Sequence, residues 1–131
     1  MVDLIKENNI YTMCTPFDEE SLKFINKLEI DILKIASCSF NDNPLTKEIL
    51  KTKMPVIAST GGAELKEIDN FVTKFEGNKM NFAINHCIPI YPTPRKKLEL
   101  NQIDNLKKRY PDITVGWSTH EDPNDIIPVS I

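Results

Sequence analysis

Cysteine is scarce in this sequence of 131 residues, and the three that occur, Cys14, Cys38 and Cys87, are widely spaced with no CxxC among them. An odd, scattered set argues against a disulfide framework and against a structural zinc site, and it suits a reducing, cytoplasmic setting. Excess positive charge is missing too. With 16 Lys+Arg against 19 Asp+Glu the formal net charge is −3, which leaves no electrostatic footprint for nucleic acid or for an anionic membrane surface. No apolar run approaches the ~18–20 residues that a membrane-spanning helix needs. The opening residues MVDLIKENN carry no apolar segment behind a basic one, so no signal peptide is expected. What is present is ordinary: 27% charged and 40% hydrophobic residues suit a folded protein, and the length suits one domain.

Five short apolar runs read as strands: Ile10–Met13, Ile32–Ala36, Pro55–Ser59, Met80–Asn85 and Ile113–Trp117. Several do not alternate, as expected of strands covered on both faces. Helical stripes separate them. Leu22, Ile25 and Leu28 follow Asp18, a predicted N-cap; Leu65, Ile68, Val72 and Phe75 end at Gly77; Leu100, Ile103 and Leu106 run into Lys107, Lys108 and Arg109, the right sign for a helix C-terminus. A shorter stripe, Thr46–Lys51, has Pro44 near its first turn. Strands alternating with helices require right-handed crossovers and a parallel sheet. Two architectures fit: a doubly wound five-stranded sheet, and part of a (β/α)8 barrel, which needs ~250 residues when whole. Val2, Leu4 and Ile5 read as the tail of a helix and Asn124–Ile131 as the head of another, which favours the second. The expected fold is therefore α/β, parallel βα repeats forming a partial TIM barrel of about five strands, with residues 1–131 as one partial domain.

Either architecture places ligands at the carboxyl ends of the strands. Those ends gather hydroxyls, glycines, one lysine and both histidines, whereas the opposite ends carry Lys, Glu and Asn of a solvated rim. Lys34 lies inside an apolar strand, where a lysine is costly unless paired or bound to an anion; it reads as an anion ligand, a Schiff-base nucleophile, a lysine pointing outward under a helix, or one satisfied by a buried carboxylate. Ser37, Ser59 and Ser118 each follow a strand, and Ser59-Thr-Gly-Gly62 precedes a helix at Glu64, an arrangement suited to an oxyanion although also found in ordinary turns. His120 reads either as a metal ligand or as a structural histidine. His86 and Cys87 read as packed, Trp117 as core, and Tyr91 in the rigid Tyr91-Pro-Thr-Pro94 loop as a contact for a sugar or simply as loop packing.

At these residues the chain resembles the N-acetylneuraminate (sialic acid) synthase family, through TPFDEES at Thr15–Ser21, KIAS at Lys34–Ser37, STGG at Ser59–Gly62, HCxxxYPTP at His86–Pro94 and GWSTH at Gly116–His120. The resemblance implies a (β/α)8 barrel, acting as a homodimer, that condenses phosphoenolpyruvate with an open-chain N-acylated amino sugar of the N-acetylmannosamine type. It implies a divalent metal, Mn²⁺ or Mg²⁺, acting as a Lewis acid on the sugar aldehyde. By match to the family's motifs, Lys34, Ser37, Ser59 and Ser118 take phosphoenolpyruvate-binding positions, Tyr91 a sugar-contacting position and His120 a metal-ligand position. The chain departs from the usual motifs at Cys38-Ser39, where Gly-Glu is common, at Pro89, where an Asn is common, and at Thr119, where an Asp is common. The family's catalytic Glu, a further Lys, a second metal-binding His and the C-terminal antifreeze-like domain have no counterpart here, so the 131 residues alone are expected to be inactive. A phospho-ligand-binding module with a doubly wound sheet and a pyruvate aldolase using Lys34 are the alternatives.

Overall fold

The computed structural model describes residues 1–121; the helical head read at Asn124–Ile131 lies outside them. The elements are α1 (Val2–Glu7), β1 (Met13–Cys14), α2 (Glu19–Ile25), β2 (Ile32–Ile35), α3 (Asn43–Thr52), β3 (Val56–Ser59), α4 (Leu65–Gly77), β4 (Phe82–Cys87), α5 (Asn101–Arg109) and β5 (Thr114–Ser118), with 3-10 turns at Ser37–Ser39 and Arg95–Lys97. All neighbouring strands pair in parallel, in the order β1-β2-β3-β4-β5. A doubly wound sheet reverses its strand order at a switch point. An order that never reverses is that of a barrel wall, so the doubly wound reading is discarded. No helix among the described residues is long and apolar enough to cross a membrane.

Local chemistry explains the helix boundaries. Asp18 caps α2: its Oδ1 accepts from the Ser21 N–H at 2.6 Å, and Ser21 Oγ accepts from the Asp18 N–H at 3.1 Å, a reciprocal capping box. Asp42 caps α3 by accepting from the Leu45 N–H at 3.0 Å, with a proline in the first turn, where a missing N–H costs nothing. The stop after α4 is not Gly77, as the sequence suggested. Gly77 is still helical, and Lys79 takes the left-handed conformation at φ 55°.

Two strands are shifted from expectation. β1 begins at Met13, because Ile10 and Tyr11 are exposed and have only one neighbouring strand to pair with. β4 begins at Phe82, because the Met80 N–H is taken by the Phe75 carbonyl at 3.0 Å and belongs to the exit from α4. The entry to β1 is fixed by Asp31, whose Oδ2 accepts from the Thr12 N–H at 2.7 Å and from its hydroxyl at 2.6 Å.

The core lies between the sheet and its helices. Leu33 and Ile35, Val56 and Ala58, and Ile84 are buried against Leu22, Ile25, Leu45, Ile49, Ile68, Val72 and Leu106. Phe71 stacks on Phe40 and Phe75, with ring centroids 4.7 and 4.0 Å apart, and Phe82 closes the group. Alternate strand residues face the other way. The register sets Lys34, Ile57, Ala83 and Thr114 in one row and Ser59, Asn85 and Gly116 in the next. Gly116 is a glycine for a steric reason, since a Cβ there would stand 2.5 Å from Asn85 Oδ1. Trp117, read as core, is only partly buried.

A polar clamp joins α4 to the end of α5. Arg109 donates twice to Asp69, from Nε at 2.8 Å and from Nη2 at 2.7 Å, and the Tyr110 hydroxyl donates to Asp69 Oδ1 at 2.7 Å. The Arg109 and Tyr110 hydrogen bonds hold the Asp69 carboxyl down from 3.8 to about 2. Burial, helped by Asp69, pushes the Tyr110 phenol up from 10.0 to about 12. A depressed carboxyl stabilises the fold above 3.8, and that contribution is lost as pH falls through about 2. Asp69→Asn is therefore expected to lower Tm at pH 7 while flattening its acid limb between those two values. Melts at pH 7 and pH 3 check this, and parallel acid limbs would count against the clamp.

Candidate active site

The strand ends converge on one cleft of about 420 Å³. Lys34 from β2, Ser37 from the turn after it, Ser59 from the end of β3, Tyr91 from the loop after β4, Ser118 from the end of β5 and His120 beyond it all line this cleft. The structure thus brings together every residue singled out in the sequence. Phe17, Ala36, Cys38, Cys87 and Pro89 line it as well. In the sequence Phe17, Ala36 and Pro89 fall within the motif stretches, Cys38 marks a departure from one, and Cys87 reads as packed.

Among the described residues Lys34 is the one lysine or arginine that lines the cleft. Its Nζ donates to Ser59 Oγ and, at 3.1 Å, to the Ile35 carbonyl. No carboxylate pairs with it among the described residues, so the salt-bridged alternative does not hold. Burial lowers the ammonium below its usual 10.5, and the nearby Cys87 sulfur opposes that shift.

Ser37 is oriented by the next strand: its Oγ accepts from the Gly61 N–H at 3.1 Å. This contact needs glycine, because a Cβ at position 61 would come within 2.6 Å of Ser37 Oγ and 3.3 Å of Cys87 Sγ. Gly62 takes φ 78°, the left-handed region that completes the turn.

At the start of α4, where the sequence suggests an oxyanion site, several N–H groups already have partners within the protein. The Thr60 N–H goes to the Asn85 carbonyl, that of Gly61 to Ser37, that of Ala63 to the Thr60 carbonyl, and that of Glu64 to Glu67 Oε2 at 2.7 Å. The loop's N–H groups are largely spent within the protein, so side chains do the work at this end of the cleft.

His86 is buried and its Nε2 meets the Leu98 carbonyl at 2.8 Å, the packed role expected of it. Cys87 is buried too, yet reaches the cleft. His120 Nδ1 faces the Ile88 carbonyl at 3.3 Å. A carbonyl only accepts, so Nδ1 carries the hydrogen, and in the neutral ring Nε2 is then the atom with a lone pair to offer a metal. The ring stands edge-on to Tyr91 with centroids 5.9 Å apart. Beside it Glu121 has one buried carboxylate oxygen, Oε1, without a partner. His120 Nε2 and Glu121 Oε1 are the donors this stretch offers, and among the described residues no group of three His, Cys, Asp or Glu side chains could hold a metal ion.

The sequence profile of the NeuB family matches the chain over residues 1–130. The chain belongs to the NeuB family. NeuB-type relatives with curated names include N-acetylneuraminate-9-phosphate synthase of Drosophila melanogaster, 34% identical over 117 residues, which make up 88% of this chain and 32% of that protein. N,N'-diacetyllegionaminic acid synthase of Campylobacter jejuni is 36% identical over 118 residues, 88% of this chain and 35% of that protein. The chain therefore spans about a third of the length of the curated NeuB relatives it matches. Among solved structures, a protein described as spore coat polysaccharide biosynthesis protein E from Chromobacterium violaceum superposes with a TM-score of 0.91 at 44% identity, covering 94% of this chain and 37% of that one. A sialic acid synthetase from Leptospira borgpetersenii, solved with citrate, superposes with a TM-score of 0.87 at 31% identity, covering 95% of this chain and 44% of that one. The NeuB fold and the singly wound sheet agree: these strands are part of a TIM-barrel wall.

Proposed function

We propose that this chain forms the phosphoenolpyruvate-binding part of a NeuB-type synthase, which joins phosphoenolpyruvate to an N-acylated amino sugar and releases a nonulosonic acid and phosphate. The observation that carries this reading is the convergence of Lys34, Ser37, Ser59 and Ser118 in one cleft with Tyr91 and His120 beside them. In the reaction C3 of phosphoenolpyruvate forms a bond to the sugar's aldehyde carbon, water adds at C2, and the C2–O bond to phosphate is lost from the resulting adduct.

Lys34 supplies the positive charge for the anionic donor, and the three serine hydroxyls supply directed hydrogen bonds. Tyr91 stands at the exposed rim, where the sugar enters. His120, with Nε2 free, would hold a divalent cation, and Glu121 is the neighbouring donor. Mn²⁺ or Mg²⁺ there would polarise the aldehyde oxygen. The remaining ligands, the catalytic Glu and a dimer partner belong to parts of a NeuB-type synthase outside these residues.

Grafting tests this reading. Residues 1–121 placed in the Campylobacter jejuni synthase, in exchange for its matching third, are expected to keep phosphate release from phosphoenolpyruvate within about tenfold of the unaltered enzyme. The 131-residue chain alone is expected to release none, because its lumen is open. A folded chimera without activity would overturn the reading, and turnover by the chain alone would overturn the need for the rest of the barrel.

A further inference from the structure

Behind the wall of the cleft lies a second cavity, of about 390 Å³, a size suited to a small ligand. It opens between α4 and α5, and the residues that line it run from Thr60 to Leu106. Neither open edge of the sheet, β1 or β5, contributes to it. Leu65 and Ile68 from α4 and Leu106 from α5 give it apolar sides. Leu65 is 51% exposed, so a large apolar side chain stands in solvent where a ligand could cover it.

The polar atoms around this cavity mostly accept hydrogen bonds. His86 Nε2 meets the Leu98 carbonyl at 2.8 Å, so Nε2 carries the hydrogen and Nδ1 is the acceptor of the neutral ring. The Thr60 hydroxyl gives its hydrogen to the Asn85 carbonyl at 3.1 Å and keeps its lone pairs. Glu99 adds a carboxylate, and Gln102, an amide, can serve either way. A matching ligand presents hydrogens, best on a cation, beside an apolar body. A small apolar primary amine does both, since at pH 7 it is charged as a lysine is. Its body would cover Leu65, Ile68 and Leu106, and its ammonium would meet Glu99.

The cavity also bears on the cleft. Cys87 and Pro89 line both. Ile88, between them, lines the outer cavity, and its carbonyl faces His120 Nδ1 at 3.3 Å. A body pressed against Ile88 therefore reaches the residue that orients His120.

We propose that the cavity between α4 and α5 is a second ligand site, which takes a small apolar amine in its ammonium form and is linked to the cleft through Ile88. The site stands whatever the cleft itself binds.

The test is an NMR titration of the chain with phenethylamine, phenethyl alcohol and phenylacetate, probes of similar body and different charge. The amine is expected to shift the signals of Leu65, Ile68, His86 and Leu106 with a Kd on the order of 1 mM, and to move that of His120 with them. It should bind about fivefold more tightly than the alcohol, the gain of an exposed charge pair. Glu99→Gln, a change at an exposed residue, should bring the two within about twofold of each other. Phenylacetate binding at these residues as tightly as the amine, or an unchanged preference in Glu99→Gln, overturns the amine assignment. Shifts at Lys34 and Ser59 in place of those at Leu65 and Leu106 put the amine in the cleft and overturn the site, as does silence from every probe at about 10 mM. A cavity that fills while His120 stays still overturns the link to the cleft.

Discussion

Lys34→Met, carried in the grafted synthase, is expected to lower kcat/KM for phosphoenolpyruvate by at least about 30-fold while leaving the fold as stable as before. The loss follows from charge. Lys34 is the one ammonium in the cleft, and removing a buried partner of an anion typically costs ~2–5 kcal/mol of interaction, or roughly 30- to several-thousand-fold. The stability half follows from desolvation. Burial lowers the Lys34 ammonium, which means that the unfolded chain holds this proton more tightly than the folded one. At pH 7 the charged side chain is therefore a cost to folding, relieved as pH rises toward 10.5, where the folded lysine loses its proton first. Met removes that cost together with the hydrogen bonds to Ser59 and Ile35, and Tm is expected to change little. The variant's Tm should also fall relative to the parent chain as pH is raised from 7 toward 10.

A lysine with merely structural work would give the opposite pattern, a large fall in Tm with a modest change in KM. Depressed basicity is also the property of a Schiff-base lysine. Borohydride reduction with pyruvate should leave Lys34 unmodified, and a trapped adduct would replace the anion-binding role with aldolase chemistry.

Phe75→Ala is expected to cost about 3–5 kcal/mol, measured as a lower urea midpoint with unchanged slope. Phe75 is fully buried, at 0% exposure. It stacks on Phe71 at 4.0 Å and meets Phe82 at 5.4 Å, so truncation leaves a hole bordered by rigid rings that cannot collapse into it. Domains are stable by only ~5–15 kcal/mol, and this single change removes a large part of that. Phe75→Leu keeps most of the volume and should cost distinctly less. A loss below ~1 kcal/mol for Phe75→Ala would show that the aromatic group rearranges freely.

The strand ends were legible in the sequence because a parallel sheet makes the same local demand five times over: an apolar run, then small or hydroxylated residues, then a helix start. Lys34, Ser37, Ser59 and Ser118 stood out against that rhythm, and the cleft contains all four. Other parts depended on partners distant in sequence. Cys87 read as packed and Cys38 only as a departure from a motif, and it is the folding together of β2 and β4 that brings both to the cleft. The start of α4 looked like an anion site from its Ser-Thr-Gly-Gly, but Glu67 reaches back to the Glu64 N–H and satisfies it internally. Gly77 looked like a stop, yet Lys79 accepts the left-handed conformation in its place. The shift of β4 had the same kind of cause, a backbone bond from Met80 to Phe75 that no side-chain pattern reports.

The serine hydroxyls have one more consequence. Ser59 Oγ receives a hydrogen bond from Lys34, and Ser37 Oγ receives one from Gly61. Ammonium and amide groups can only donate, so each hydroxyl accepts on its protein side and keeps its own hydrogen and a second lone pair for a ligand. Each is also polarised by the bond it receives, which strengthens the one it gives. With the Lys34 ammonium beside them, those hydrogens bias this end of the cleft toward anionic and lone-pair-bearing oxygens before shape is tested.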